Sequence, residues 1–319
     1  AGPTRGGASP VRILSGPWRD WEPLEAGSSL TVGVLDGVHL GHRKLVSYLD
    51  SDLIRTVLTF EPHPVEVLAP GTPPRLLTTV DERVALLARL GVIQVGLLDL
   101  AEIKSLTPEE FVEHILIGKT GMSHLVVGHD FRFGRDRSGD VTLLEKLAER
   151  HGFRLDVIDL VGDELGQISS TRIRSLLEAG HPEEAARLLG SWYRITNIVV
   201  EGERRGVDLG YPTINMRPPP RKLVPATGIY ACFATVLGET HQAAVNVGVR
   251  PTFGGGELLI EAHLLDFDRS VYREEATVEF VSYLRPEMHF DRVEDLVEQM
   301  GEDVEETRRE LAAAGPNVS

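Results

Sequence analysis

Apolar positions change period twice along this chain. In the first half, short unbroken apolar runs alternate with stretches in which apolar residues return every three or four positions. LTVGVLD (30–36), RTVLTF (55–60), VIQVGLL (92–98), HLVVG (124–128) and FRLDVIDL (153–160) are rich in β-branched residues and bounded by Gly, Pro or Asp, which predicts buried strands. HRKLVSYL (42–49), VDERVALLARL (80–90), TPEEFVEHIL (107–116) and VTLLEKLAERH (141–151) carry the helical spacing. Thr107, followed by Pro108 and Glu110, forms a capping box with proline at the first helical position. Strand–helix alternation of this kind implies a parallel sheet covered by helices on both faces, with ligands gathered at the carboxyl ends of the strands.

From about Tyr193 the period shortens. RITNIVVEG, TGIYACFATVLG, HQAAVNVG, LLIEAHLLDF and EATVEFVSYL alternate apolar and polar positions, with Pro218–Pro220 and Gly254–Gly256 among the joints. That pattern predicts an all-β barrel or sandwich. A terminal helix, VEDLVEQMGEDVEETRRELAAAG, closes the chain and frays near Gly315. The boundary falls between the helix PEEAARLLG (182–190) and a strand starting near Trp192, giving domains 1–188 and 189–319.

Composition agrees with this division and narrows the partners. At roughly 100–200 residues per domain, 319 residues make about two domains. The formal charge of −15 repels polyanions, so neither nucleic acid nor an anionic membrane surface is an expected partner, although a local cluster of donors still suits a small anion. The single cysteine, Cys232, excludes an intramolecular disulfide and a cysteine zinc site. No apolar run reaches the ~18 residues of a membrane span. The opening AGPTRGGASP lacks the basic start and apolar core of a secretory leader, so the expectation is a soluble cytoplasmic protein.

The polar motifs fall at predicted strand ends. LTVGVLD runs into GVHLGHRKLV, where Gly37 and Gly41 permit close backbone approach and a helix start offers unpaired N–H groups. His39 and His42, three apart, share one face there. They suit donation to a phosphate, binding of a metal, or simple packing; the strand–glycine–helix setting favours the phosphate. ISSTRIRSLL (168–177) opens another helix, and one of Ser169, Ser170 and Thr171 suits its cap. Arg172 and Arg174 oppose the helix dipole there, which a bound anion would explain. Two such anion sites suggest a nucleoside triphosphate, without any Walker-type loop. FEPHP (60–64) is a proline-stiffened turn, and GHDFRFGRDRSGD (128–140) interleaves Phe131 and Phe133 with arginines, suiting a planar ring or only a turn.

In the second half, GERRGVDLGYPTIN (202–215) joins a glycine-rich loop to Thr213 and Asn215, which point the same way on a strand. Their hard oxygens suit Mg²⁺ beside phosphate; the tetrapeptide alone also fits a turn at a barrel rim. AVNVGVRPTFGGG (244–256) supplies an arginine and a glycine loop. EAHLLDF (261–267), as a strand, presents Glu261, His263 and Leu265 on one face, and a carboxylate there could take the proton of an attacking hydroxyl.

GVLDGVHLGH, TFEPHP, GHDFRFGRDRSGD and ISSTRIR, in this order, resemble the adenylyltransferase half of the bacterial bifunctional riboflavin kinase/FMN adenylyltransferases (FAD synthetases), nucleotidyltransferases with a His-x-Gly-His signature. GYPTIN, TGIYA, VNVGVRPTF, EAHLLDF and YLRPEMHF are similar to the riboflavin kinase half. The resemblance runs from about Leu30 to Asp303 and implies a Rossmann-like, doubly wound nucleotidyltransferase domain followed by a six-stranded Greek-key flavokinase barrel with a terminal helix. It implies ATP phosphates on Gly33, Asp36, Gly37, His39 and His42, with the triphosphate held by Ser170, Thr171 and Arg172. Phe60, Pro62, His63, Asp130 and Phe131 would lie near the flavin. In the second domain it implies ATP at Gly202, Arg205, Gly210, Thr213 and Asn215, Mg²⁺ on Thr213 and Asn215, flavin near Arg250, and Glu261 as catalytic base.

The implied partners are ATP, riboflavin and FMN, with a weak homo-oligomer allowed. Three positions depart from the family pattern: Leu35 replaces an aromatic, Arg273 a glycine, and Val207 a basic residue. If Arg273 adopts the left-handed turn that glycine permits, it carries strain. The competing readings are a protein retaining only one activity and a non-catalytic flavin-binding regulator.

Overall fold

The structure is a computed structural model and describes residues 11–69, 71, 73–159, 161–201, 211–252 and 255–315, with backbone alone at 250–252 and 255. The chain forms two compact units: the first runs to Ser169, except for Arg75–Leu77, which joins the second unit together with everything from Ser170 onward.

In the first unit, β1 (Arg12–Leu14), β2 (Ser28–Val32), β3 (Ile54–Phe60), β4 (Gln94–Leu98), β5 (Met122–Gly128) and β6 (Arg154–Ile158) form one sheet in the order β1-β4-β3-β2-β5-β6. Its pairings are parallel. β1, three residues long, is too short to carry a period and went unpredicted. β2 has β3 on one side and β5 on the other, so the winding reverses at β2 and opens a crevice at its carboxyl end.

Alternation along the strands sorts their side chains onto two cores. Val57 of β3 and Val126 of β5 pack with Val46 of α1 (Leu40–Ser47) and with Leu87. Their neighbours Leu58, Leu125 and Val127 pack on the opposite side with Ile103, Phe111, Leu144 and Leu147. Both faces of the sheet are therefore covered, as the alternation of elements predicts. The helices following α1 are α2 (Pro64–Leu68), α3 (Val80–Arg89), α4 (Leu100–Ile103), α5 (Pro108–Glu110) and α6 (Val141–His151). The capping box closes: Glu110 N–H donates to Thr107 Oγ1 at 3.1 Å and Thr107 N–H to Glu110 Oε2 at 2.8 Å. Beyond it, Phe111–Ile117 widens into a π-helix instead of continuing as an α-helix. A short hairpin, β7 (Gly162–Asp163) with β8 (Gly166–Gln167), precedes the end of the unit.

The second unit begins with α7 (Ser170–Glu178) and α8 (Pro182–Leu189). β9 (Tyr193–Val200), β10 (Thr213–Met216), β11 (Gly228–Val236), β12 (Glu239–Thr252), β13 (Gly255–Leu264) and β14 (Glu275–Arg285) close into a barrel in the order β10-β13-β12-β11-β14-β9. Closure decides between the two predicted architectures in favour of the barrel. β11, β12 and β13 are successive hairpins and β14 returns beside β11, which is a Greek key. The row Ile214, Ala262, Val245, Tyr230 is buried throughout and lines the interior. Arg75–Leu77 is tied to this unit by buried Lys222, whose Nζ donates to Leu77 O at 2.7 Å.

Some predicted boundaries move. The strand predicted over 30–36 ends at Val32, because Leu35, Gly37 and Val38 take positive φ (52°, 84° and 42°) and leave the ladder. β13 ends at Leu264, so Leu265 does not continue the strand face with Glu261 and His263. Arg273 does adopt the left-handed region, with φ 70°. Val207 lies outside the described residues. Among the described residues, no helix is long and apolar enough to cross a membrane.

The last helix, α9 (Val293–Ala314), buries Asp303, Thr307 and Leu311, one side chain per turn. Leu311 joins Ala231, Phe233 and Val281 in a core outside the barrel. Arg285 of β14 grips Asp303 with two hydrogen bonds, at 2.7 and 2.6 Å. Removing one partner of this partly buried pair leaves a partly solvated charge, so Asp303→Ala should lower unfolding stability by about 1–3 kcal/mol. Denaturant unfolding checks this, with a shifted midpoint at unchanged slope.

Candidate functional site

The crevice at the end of β2 is shaped by a loop held in an unfavourable backbone. Left-handed conformations at Leu35 and Val38 each cost on the order of 1–2 kcal/mol. Both side chains are completely buried, which offsets that cost and fixes the loop. Two hydroxyls clamp it. Thr59 Oγ1 donates to Val34 O at 2.7 Å and accepts from Arg83 NH1 at 2.9 Å. Thr78 Oγ1 accepts from Gly37 N–H and donates to Asp36 Oδ1, each at 3.1 Å, while Thr78 N–H donates to the same oxygen at 2.9 Å. Asp36, a sequence candidate, is thus a buried anchor of the loop.

His39 is the N-cap residue of α1, and its ring stacks on that of His42 with centroids 3.6 Å apart. A Cβ on Gly41 would lie 3.1 Å from His39 Cε1, so the small residue between the histidines leaves room for the ring. Among the described residues, neither Nδ1 atom makes a hydrogen bond although both are enclosed. Burial pushes the His39 pKa down to about 4, against the pull of Asp36. Burial, then His39 and the Arg83 guanidinium, hold His42 well below 6.5. The pair is neutral at neutral pH, and each imidazole then carries one N–H donor.

Arg83 is a residue that the sequence reading missed. It is buried on α3, and burial lowers its pKa while Asp36 and Glu61 supply opposing charge. Its signal was present: an arginine at position 83 lies on the apolar stripe of Val80, Val84 and Leu87. Phe60 ends β3, and His63 caps α2 by accepting from Val65 N–H at 3.3 Å. Pro62 lies between them after a cis peptide bond. Phe133 belongs to the core, while Phe131 stacks on it at 5.5 Å and Asp130 is exposed. Gly33 N–H pairs with Leu58 O at 3.0 Å. Ser170, Thr171 and Arg172 open α7 and belong to the second unit, whereas the histidines belong to the first.

A second polar site crosses the outer face of the barrel. Asn215 of β10 pairs directly with Glu261 of β13, and Thr213 with His263. Directly paired residues project to the same face, so Thr213, Asn215, Glu261 and His263 stand together. Asn215 is 5% exposed, and its Oδ1 is enclosed with no hydrogen-bond partner among the described residues. A buried unpaired amide oxygen costs about 1–3 kcal/mol, and a cation or donor would satisfy it. Asn246 of β12 pairs with Glu261 from the other side and was not singled out from sequence. Arg250 lies on β12 opposite Glu257, and its side chain is not described. Gly202, Arg205 and Gly210 lie outside the described residues.

The FAD synthetase family matches residues 22–172 and the riboflavin kinase family residues 189–311. The chain is 35% identical over 304 residues to the bifunctional riboflavin kinase/FMN adenylyltransferase of Listeria monocytogenes, covering 93% of this chain and 95% of that protein. It is 35% identical over 303 residues to the protein of the same description from Pseudomonas fluorescens, covering 93% and 96%. A crystal structure described as a macrolide-efflux protein from Streptococcus pneumoniae is similar with TM-score 0.85 and 31% identity, covering 93% of this chain and 99% of that one.

The depressed His39 pKa has a consequence for stability. The unfolded chain takes up a proton below about 6.5 that the folded state refuses until about 4. Stability contributed by neutral His39 is therefore full above 6.5 and falls by about 3 kcal/mol as pH drops to about 4. Denaturant unfolding across that range should show a shallower pH slope in His39→Gln than in the parent protein.

Proposed function

Because the chain belongs to the bifunctional riboflavin kinase/FMN adenylyltransferase family, we propose a division of two chemistries between its two sites. Its activities are ATP-dependent phosphorylation of riboflavin to FMN and adenylylation of FMN to FAD with release of pyrophosphate. ATP, riboflavin and FMN are accordingly its substrates. The presence of both family matches disfavours a single-activity protein and a non-catalytic regulator. We assign the adenylyltransferase to residues 1–188 and the kinase to 189–319, a boundary supported by the start of the kinase match at 189.

In the adenylyltransferase, the FMN phosphate attacks the α-phosphorus of ATP and pyrophosphate leaves. The nucleophile is already anionic, so no general base is required. His39 and His42 donate N–H bonds to phosphate oxygens as charge builds, and Arg172 with Ser170 and Thr171 holds the triphosphate. Gly33, Asp36 and Gly37 shape the approach of the nucleotide. Phe60, Pro62, His63, Asp130 and Phe131 receive the flavin. The stacked, neutral histidine pair at a helix start is the observation supporting this assignment.

In the kinase, Glu261 takes the proton of the ribityl 5′-hydroxyl as its oxygen bonds to the γ-phosphorus and ADP leaves. Thr213 and Asn215 hold Mg²⁺–ATP, a role that the enclosed, unpaired Asn215 Oδ1 fits. The cation, when bound, neutralises developing phosphate charge. Gly202, Arg205 and Gly210 line the ATP and Arg250 the flavin. The direct pairing of Asn215 with Glu261, which sets a phosphate-side oxygen beside a proton acceptor, carries this assignment. The charge of −15 supports the absence of a nucleic-acid or anionic-membrane partner; we place the protein in the cytoplasm and allow a weak homo-oligomer.

Two variants test the division. Glu261→Ala should lower FMN formation by about 10²–10⁴-fold and leave conversion of added FMN to FAD unchanged. His42→Ala should do the reverse. Loss of both activities in either variant, or of neither, would refute the assignment.

A further inference from the structure

The row of outward side chains on the barrel does not stop at Glu261. Its next member is Asn246, directly paired with Glu261 across β12 and β13. Adjacent strands lie about 4.8 Å apart, so Asn215 and Asn246 flank the carboxylate on opposite sides, one strand spacing each. Asn246 Oδ1 is enclosed and has no hydrogen-bond partner among the described residues, as for Asn215 Oδ1. Two amide oxygens without partners among the described residues therefore stand on the strands either side of Glu261.

The flanks are not equivalent. With the nucleotide phosphates on the Asn215 side, in-line displacement puts the attacking oxygen on the far side of phosphorus from the leaving oxygen. The acceptor chain then runs from Glu261 away from β10, across β12. That chain is a polyol, and the hydroxyl next to the reacting one lies on C4′. A carboxamide offers both a donor and an acceptor, which suits a hydroxyl better than a phosphate or a ring. The backbone beyond Asn246 is closely approached by side chains: a Cβ at Gly248 would lie 2.5 Å from Glu287 Oε1 and 3.3 Å from Asn246 Nδ2. Glycine there leaves the amide room beside its neighbours.

We propose that Asn246 is a specificity-determining residue of the kinase centre, its Oδ1 accepting a hydrogen bond from the 4′-hydroxyl of the ribityl chain and so directing the 5′-hydroxyl at Glu261. The inference rests on the assignment of Asn215 and Glu261 given above. It makes the polyol next to the reacting carbon, and not the flavin ring alone, part of what the kinase recognises.

The test pairs two substrates with variants of the full chain. The parent enzyme should phosphorylate 4′-deoxyriboflavin with a kcat/KM about tenfold below that for riboflavin, the usual scale for one lost hydrogen bond. Asn246→Ala should lower riboflavin turnover by about tenfold and leave the two flavins within about twofold of each other. Asn246→Asp retains the acceptor and should retain the gap. Asn246→Ser, which withdraws the polar group from reach, should close it and serves if the alanine variant does not fold. Conversion of FMN to FAD reports that the adenylyltransferase site is unaffected throughout, and circular dichroism that the barrel is folded. A gap that persists in Asn246→Ala and Asn246→Ser, or no gap in the parent enzyme, overturns the inference. FMN formation unimpaired in Glu261→Ala overturns instead the reading on which it rests.

Discussion

The hydroxyl of Thr78, shared between Gly37 N–H and the Asp36 carboxylate, is the contact on which the loop at the carboxyl end of β2 depends. Three residues of the loop after β2 have left-handed backbone, and nothing local favours that geometry at Leu35 or Val38. It persists because both side chains are sealed in the core and because Thr59 and Thr78 occupy the polar groups that the strand ladder abandons. Arg83 completes the frame from α3, donating to Thr59. The buried cation and the Asp36 carboxylate balance each other in a region with little water. The strain thus sets where α1 begins, and α1 sets where His39 and His42 stand.

The second unit reaches a similar end by other means. No strained loop is needed to gather Asn215, Glu261 and Asn246, because antiparallel register alone places them in one row. The interior row of the same strands, Ile214, Ala262 and Val245, is apolar and buried, so a one-residue slip would exchange the two faces. Core packing therefore guards the alignment of the polar row. The candidate histidines stand at a strand end, and the candidate row Asn215, Glu261 and Asn246 on a strand face. Both include buried atoms, Nδ1 of His39 and His42 and Oδ1 of Asn215 and Asn246, that have no hydrogen-bond partner among the described residues.

Much of this was legible in the residues, and the misses have physical causes. Strand–helix alternation up to residue 160 and the shorter period after Tyr193 read correctly because apolar spacing reports burial directly. LTVGVLD looked like one strand to residue 36 because Val34 and Leu35 are apolar, but burial here serves a turn instead of a ladder. Arg83 escaped notice because a charged residue on an amphipathic helix is ordinarily placed outside; its place on the apolar stripe was the available sign. Asn246 lies in the VNVGVRPTF stretch, but nothing in its spacing ties it to Glu261. Only the pairing of β12 with β13, a long-range fact, brings it to Glu261. The departure at Arg273 was legible as a need for positive φ, and the residue adopts it. Alternating aromatics and arginines marked residues 128–140, yet there Phe133 serves the core and Phe131 stacks on it.

The central claim is that one chain performs two transfers in series on a flavin, each at its own site. The most direct measurement is the time course of flavin species after riboflavin is mixed with the protein, Mg²⁺ and excess ATP. FMN should rise first and then decline as FAD appears, with pyrophosphate released in step with FAD. FMN accumulating without FAD, or flavin bound with no nucleotide consumed, would contradict the account.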